Sequence, residues 1–197
     1  MKGAKRAFDI VASVCALACI APFAPFIAAA IAIESGFPVI VALRRVSGGK
    51  VVRVYKFRSM VRGAETKKDA LRDLNERDGP FFKMAHDPRV TKIGKILRKL
   101  RIDEFPQFIN VLKGELSVVG PRPHEPEEVM HYPKEFAHIP FAQAGVTGLS
   151  QISGASSLLY REELVLDARY LEHVSLWSDI KILVKTVLVF FTDPTGI

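Results

Sequence analysis

From Ile10 to Ile33 the chain carries no charged residue. That is about the length of helix that crosses a bilayer, so this run limits the possible folds more than any other. Pro22 and Pro25 stand in its middle. Each removes a backbone donor and bends the chain. Both flanks are cationic: Lys2, Lys5 and Arg6 before, and Arg44, Arg45, Lys50 and Arg53 after. Cationic flanks favour the cytoplasmic side. Both can lie there only if the helix enters the membrane, breaks and returns. Residues 1–36 are therefore expected to form a re-entrant membrane hairpin hinged at Pro22 and Pro25, with a straight span as the competing reading. A cleavable signal peptide is weaker, because the run is long for one and no clear cleavage site follows.

The remainder, residues 37–197, reads as one catalytic-sized domain. Nearly half of the 197 residues are hydrophobic and 25% are charged, with a net charge of +7. That mixture fits a soluble domain joined to an apolar segment, and the positive charge favours anionic partners such as phosphorylated substrates or lipid headgroups. Cys15 and Cys19, the two cysteines, sit i, i+4 inside the apolar run. They read as small apolar residues, not as a disulfide.

The expected fold class is α+β and mostly helical, with a small β-hairpin and amphipathic interfacial helices. Val39–Leu43 and Val51–Phe57 are β-rich and flank the turn signal Ser47-Gly-Gly-Lys50. Residues 62–78 read as an exposed helix ended by Gly79-Pro80. Thr91 to Leu100 places Ile93, Ile96, Leu97 and Leu100 at helical spacing among lysines and arginines, which suits packing on a core or on an anionic membrane surface. A short strand is expected at Leu116–Val119, then a rigid turn at Gly120-Pro-Arg-Pro123, a short helix after Glu125, and a glycine-containing loop over 143–151. Two helices follow, one from about Leu158 and a very apolar one from Asp179 to Phe191, with a break at 175–178. The second carries Lys181 and Lys185, and packing or an interfacial position both fit it.

The chemistry concentrates in residues 98–113. Asp103 and Glu104 lie side by side behind a run of cations, and Pro106 follows closely. Proline is tolerated in a first helical turn, so a helix is expected to begin near Asp103 and run to Gly114, with Asp103 at its positive end. A helix cap among surface charges is one reading, and a carboxylate brought against a phosphate is the other. Arg122, between prolines, suits bidentate phosphate contact. The five histidines show no zinc spacing, and no Walker, dinucleotide or nucleophile-elbow motif is present. No helix-turn-helix or RNP signature accompanies the positive charge, so nucleic acid is not expected as a partner. Hard oxygen ligands beside phosphate-binding cations suggest Mg²⁺.

The ordered pieces Lys5-Arg-Ala-Phe-Asp9, Lys56-Phe-Arg-Ser-Met60, Asp87-Pro-Arg-Val-Thr91, Ile102-Asp-Glu-Phe-Pro-Gln107, Asn110-Val-Leu-Lys-Gly114, Ser117-Val-Val-Gly-Pro-Arg-Pro123, Gly145-Val-Thr-Gly148 and Asp179-Ile-Lys-Ile-Leu183 together resemble the bacterial sugar transferases, the small monotopic phosphoglycosyl transferases. The resemblance covers most of the chain. It implies transfer of a sugar 1-phosphate from a UDP-sugar to a polyprenyl (undecaprenyl) phosphate, with release of UMP through a covalent phosphosugar on an aspartate. It further implies Asp103 as nucleophile, Glu104 as its partner, both near Mg²⁺, and Arg98 and Arg122 on phosphates, with Lys56, Arg58 and Gln151 as further site residues. An enzyme on the cytoplasmic face of the inner membrane, at the first membrane step of a glycan pathway, follows from the same resemblance. Two departures stand out: Ala21-Pro22 and Ala24-Pro25 where the family commonly has Ser-Pro, and Ala144 where Pro often precedes Gly145. Two other readings stay open. One is direct transfer, with a carboxylate activating the acceptor and no covalent intermediate. The other is a non-catalytic adaptor whose basic face binds anionic lipid.

Overall fold

The structure is a computed structural model that describes residues 2–154 and 157–192. Two N-terminal helices, α1 (Lys2–Ile20) and α2 (Ala24–Ser35), meet at a bend of 64°. Pro22 lies in the three-residue break and Pro25 in the first turn of α2, where its missing N–H costs nothing. Among the described residues no single helix is long and apolar enough to cross a membrane, and α1 with α2 pass that test only as a bent pair.

The start of α1 is anchored by the side chains that the sequence presents as flanking charges. Lys5 Nζ lies 2.6 Å from Asp179 Oδ2 and also donates to the Val119 carbonyl. Arg6 donates to the Val111 and Leu112 carbonyls. Asp9, 2% exposed, accepts from Ser117 Oγ and the Val118 N–H. These contacts fasten α1 onto two elements. One is α4 (Gln107–Lys113), whose last carbonyls Arg6 satisfies; the other is strand β3 (Ser117–Val119).

The hairpin forms where its pattern predicts. Strands β1 (Ile40–Ser47) and β2 (Lys50–Phe57) pair antiparallel from Ile40 opposite Phe57 to Ser47 opposite Lys50. Gly48 and Gly49 both take positive φ, 60° and 72°, the conformation that a two-residue turn needs to match strand twist. Asn110 of α4 is fully buried beneath β2. It donates to the Arg53 carbonyl and accepts from the Tyr55 N–H. Val54, Val111, Leu116, Val118, Val119, Ala144, Tyr170 and Ile182 close the main core.

Helix α3 (Lys92–Lys99) begins at Thr91, whose side chain accepts from the Gly94 N–H. Glu34, at the end of α2, accepts from the N–H groups of Lys92 and Ile93. One carboxylate thereby ties the membrane-length helix pair to α3. A Cβ on Gly94 would lie 1.9 Å from the Ser59 carbonyl oxygen, so only glycine lets α3 approach the segment after β2 this closely. Leu97 is buried, whereas Ile96 and Leu100 face outward.

Three expectations are corrected. Residues 62–78 do not form an α-helix. Beyond Gly63, at φ 70°, they make turns and a six-residue 3₁₀ helix, Asp69–Leu74. This segment is shaped in part from outside itself: Asn75 donates to the Phe81 carbonyl as well as to that of Arg77 within the segment, and Lys68 pairs with Glu125. The 143–151 segment is also more than a loop. Gly145–Thr147 is strand β4, parallel to β3 and paired Ser117 with Gly145 and Val119 with Thr147. The third correction concerns Asp103 and is taken up with the site. After the short α5 (Pro126–Val129) and α6 (Leu149–Ile152), helices α7 (Tyr160–Glu172) and α8 (Leu176–Thr192) complete the fold. Ser175 Oγ caps α8 by accepting from the Ser178 N–H, so the break lies at 173–175 and α8 starts at Leu176, three residues before the expected Asp179.

Candidate active site

Asp103 does not begin an α-helix. Arg101 takes a left-handed φ of 48°, turning the chain sharply after α3. Ile102–Glu104 then form a single 3₁₀ turn, and α4 starts only at Gln107, after Pro106. A non-glycine residue held at positive φ stores backbone strain, which concentrates at functional sites. The helix-dipole argument for Asp103 therefore lapses, because α4 begins four residues later. What surrounds Asp103 instead is burial and charge. Asp103 is 6% exposed. Burial and the neighbouring Glu104 charge push its carboxyl up from the ordinary 3.8, with Lys56 and Arg98 opposing them.

Glu104 behaves oppositely. Lys56 Nζ, at the end of β2, lies 2.6 Å from its Oε1. Burial works against the ionised form, but Lys56, Arg122 and Arg101 outweigh it and hold Glu104 below the usual carboxylate range. Two adjacent carboxyls thus have environments that push them apart, a pattern that assigns different roles to the members of a pair. Arg98, in the last turn of α3, donates from Nε to Ser59 Oγ at 2.9 Å, and its charge acts on Asp103. Arg122 follows β3, and its charge acts on Glu104.

Of the residues expected at the site, Asp103, Glu104, Lys56, Arg98 and Arg122 are brought together by α3, the 3₁₀ turn, β2 and the turn after β3. Arg58 and Gln151 are not joined to the carboxylates by any hydrogen bond or ion pair among the described residues. Arg58, buried, donates to Ser35 Oγ and the Gly36 carbonyl at the end of α2. Gln151, on α6, donates to the Val146 carbonyl of β4.

A buried polar cluster behind Arg122 is not foreseen from the sequence. The Arg122 N–H donates to Asp167 Oδ2, and Arg122 Nε stands 4.0 Å from Glu163 Oε1. Glu163 pairs with Arg77 and accepts from His124 Nε2 at 2.9 Å, and His124 Nδ1 meets the Tyr132 hydroxyl. Asp167 accepts from Ser150 Oγ at 2.7 Å. Glu163 and Asp167 are both 0% exposed. Burial opposes the charge of Glu163, yet the His124 hydrogen bond and the charges of His124, Arg122 and Arg77 hold its carboxyl well below the usual range. Burial, helped by Glu163, pushes Asp167 up to about 7. The available signal was positional: Asp167 falls on the same helical stripe as Leu164, Ala168 and Leu171, where a carboxylate must be satisfied inside the fold.

A family model described as bacterial sugar transferase matches residues 1–193. Among curated relatives, the galactosyl transferase CpsE of Streptococcus agalactiae is 43% identical over 188 residues, covering 94% of this chain and 42% of the relative. The undecaprenyl-phosphate galactose phosphotransferase of Salmonella typhimurium is 38% identical over 194 residues, covering 94% of this chain and 40% of the relative. The exopolysaccharide production protein ExoY of Rhizobium meliloti is 36% identical over 189 residues, covering 93% and 84%. The chain thus spans about two-fifths of the length of the first two relatives and most of the third. With the family match extending from α1 through α8 and taking in every residue gathered around Asp103, this chain belongs to the bacterial sugar transferase family.

Proposed function

We propose that this chain is a phosphoglycosyl transferase that moves a sugar 1-phosphate from a UDP-sugar to a polyprenyl (undecaprenyl) phosphate and releases UMP. The observation that carries the reading is the pair of unlike carboxyls: Asp103 buried with a raised pKa, and Glu104 ion-paired to Lys56, with Arg98 and Arg122 acting on them. Relatives named for undecaprenyl-phosphate galactose and undecaprenyl-phosphate glucose phosphotransfer, at 38% and 39% identity, support the acceptor, and one named for a UDP-N-acetylgalactosamine supports the donor.

In this reading an oxygen of ionised Asp103 attacks the sugar-bearing phosphorus of the donor. The new aspartyl–phosphorus bond forms as the bond to the bridging oxygen breaks, and UMP leaves with that oxygen and its electron pair. An oxygen of the polyprenyl phosphate then attacks the same phosphorus and frees the Asp103 carboxylate. Lys56, Arg98 and Arg122 offset repulsion between the carboxylate and the diphosphate. Glu104, kept ionised by Lys56, is the partner of Asp103 in the pair and would support Mg²⁺ or activation of the acceptor. Asp103 and Glu104 are hard oxygen donors that fit Mg²⁺, which takes one or two protein carboxylates and completes its shell with water and phosphate. Among the described residues no group of three His, Cys, Asp or Glu could hold an ion alone, so substrate phosphates would supply the remaining ligands. When bound, Mg²⁺ would neutralise charge on the diphosphate.

The bent pair α1 and α2 reads as a re-entrant hairpin, with residues 37–197 lying on the cytoplasmic surface of the inner membrane. Val11 is 63% exposed, Phe26 75%, Ile33 87% and Phe37 68%, and an apolar surface of that kind calls for lipid. The test is incubation of the purified protein with a panel of labelled UDP-sugars and Mg²⁺, with and without undecaprenyl phosphate. UMP release with labelled lipid is expected. Labelled protein without acceptor, lost in Asp103→Asn, supports the covalent route; lipid product without labelled protein would favour direct transfer. No UMP with any donor would overturn the reading.

A further inference from the structure

Among the described residues Arg122 is the one cation of the site whose main chain and side chain are both approached by carboxylates of a remote element. Its N–H donates to Asp167 and its Nε faces Glu163, one helical turn away on α7. We infer that Glu163 is a positioning residue for Arg122: it holds the guanidinium at the phosphate site while leaving the donors free for a ligand, with Asp167 fixing the backbone beneath. The inference rests on the proposed handling of a diphosphate donor.

Three observations carry it. First, the Arg122 side chain is 37% exposed, whereas Glu163 and Asp167 are 0% exposed. The reactive end reaches solvent, and the supports do not. Second, the 4.0 Å separation between Arg122 Nε and Glu163 Oε1 is within ion-pair range but too long for a hydrogen bond. Among the described residues the guanidinium makes no hydrogen bond at all. Attraction thus sets its position without occupying the N–H fork that would grip a phosphate. Third, Glu163 itself cannot drift. Arg77 holds one of its oxygens, 7% exposed at its own side chain, and His124 Nε2 holds the other at 2.9 Å. His124 is in turn seated against Tyr132. With both oxygens already held by Arg77 and His124, Glu163 presents Arg122 with a negative charge fixed in position. The contact makes best sense as one that aims Arg122.

A double-mutant cycle tests this in the full chain, with UDP and Mg²⁺ as the probe and calorimetric binding as the readout. UDP affinity is expected to fall about tenfold in Glu163→Gln and to change less than twofold when Glu163→Gln is added to Arg122→Ala. Circular dichroism confirms folding. Where Glu163→Gln does not fold, Glu163→Asp, still charged but one methylene shorter, is expected to show the same loss and the same disappearance in the Arg122→Ala background. An equal loss in both backgrounds would mean that Glu163 acts only on the fold, and would overturn the inference while leaving the proposed function in place. Failure of the unaltered protein to bind UDP would instead remove the donor reading and this inference with it.

Discussion

Lys56 Nζ stands 2.6 Å from Glu104 Oε1, bridging the end of the β-hairpin to the 3₁₀ turn that carries Asp103. The same ammonium is the largest opposing influence on the burial that raises Asp103. Replacing Lys56 by Met keeps most of the apolar stem, one atom shorter, and removes the charge. UMP release from the productive donor should fall by about a hundredfold, the usual scale for deleting one preorganised electrostatic group. A loss within twofold would show that Lys56 only braces the turn.

Asp103 should be costly to the fold. It is 6% exposed, and burial together with Glu104 disfavours its charge. Asp103→Asn retains the shape and removes the ionisation, so the variant should be inactive and more stable by about 1 kcal/mol, or about 3 °C in melting temperature for a chain of this size. A lower melting temperature for the variant would contradict that account.

The stability of the protein should carry the mark of Asp167. Its carboxyl titrates at about 7 in the fold against an ordinary 3.8, so the folded chain holds this proton more tightly than the unfolded chain does. The contribution is fully present below about pH 4, declines as the pH rises toward 7, and is gone above that. Compared with Asp167→Asn, the unaltered protein should lose ground between about pH 4 and 7, at no more than about 1.4 kcal/mol per pH unit. Denaturant melts of both proteins across that range measure it, and parallel curves would count against a raised Asp167.

The re-entrant reading predicts sidedness. In a background with Cys15 and Cys19 changed to serine, single cysteines at Gly3 and Lys50, on either side of the helix pair, should both react with an impermeant thiol reagent from the cytoplasmic side of oriented vesicles. Reaction from opposite sides would establish a straight span.

Much of the architecture was legible because it is local. The Ser47-Gly-Gly-Lys50 turn pins the hairpin register by itself, since Gly48 and Gly49 accept positive φ. Pro22 ends the first helix and Pro25 starts the second, because proline cannot continue a helix interior but is tolerated in a first turn. Thr91 caps α3 from its own side chain. The 62–78 segment shows the opposite case. Its Ala, Lys, Leu and Glu content favours a helix, but Asn75 and Lys68 find partners at Phe81 and Glu125, and tertiary contacts win over a weak propensity.

At the site the division is similar. The identity of Asp103, Glu104 and Arg122 as the chemically interesting residues could be read from type, order and resemblance. Their differing protonation could not, because it depends on which cation each one meets. Lys56 reaches Glu104 across 48 residues of chain, and Glu163 stands behind Arg122 only after α7 has packed against the turn that follows β3.

The sequence by itself determined a bent apolar helix pair, a two-residue hairpin and a carboxylate pair followed by a proline, since each follows from the backbone limits of neighbouring residues. Only the tertiary structure decided that Lys5, Arg6 and Asp9 are internal anchors and not merely flanking charges, that Asp103 sits in a 3₁₀ turn entered through the left-handed Arg101 and not at a helix end, and that two carboxylates of α7 lie beneath Arg122. Those outcomes depend on burial and on charges brought together from far along the chain, and Coulomb and desolvation energies are set by distance in space, not by separation in sequence.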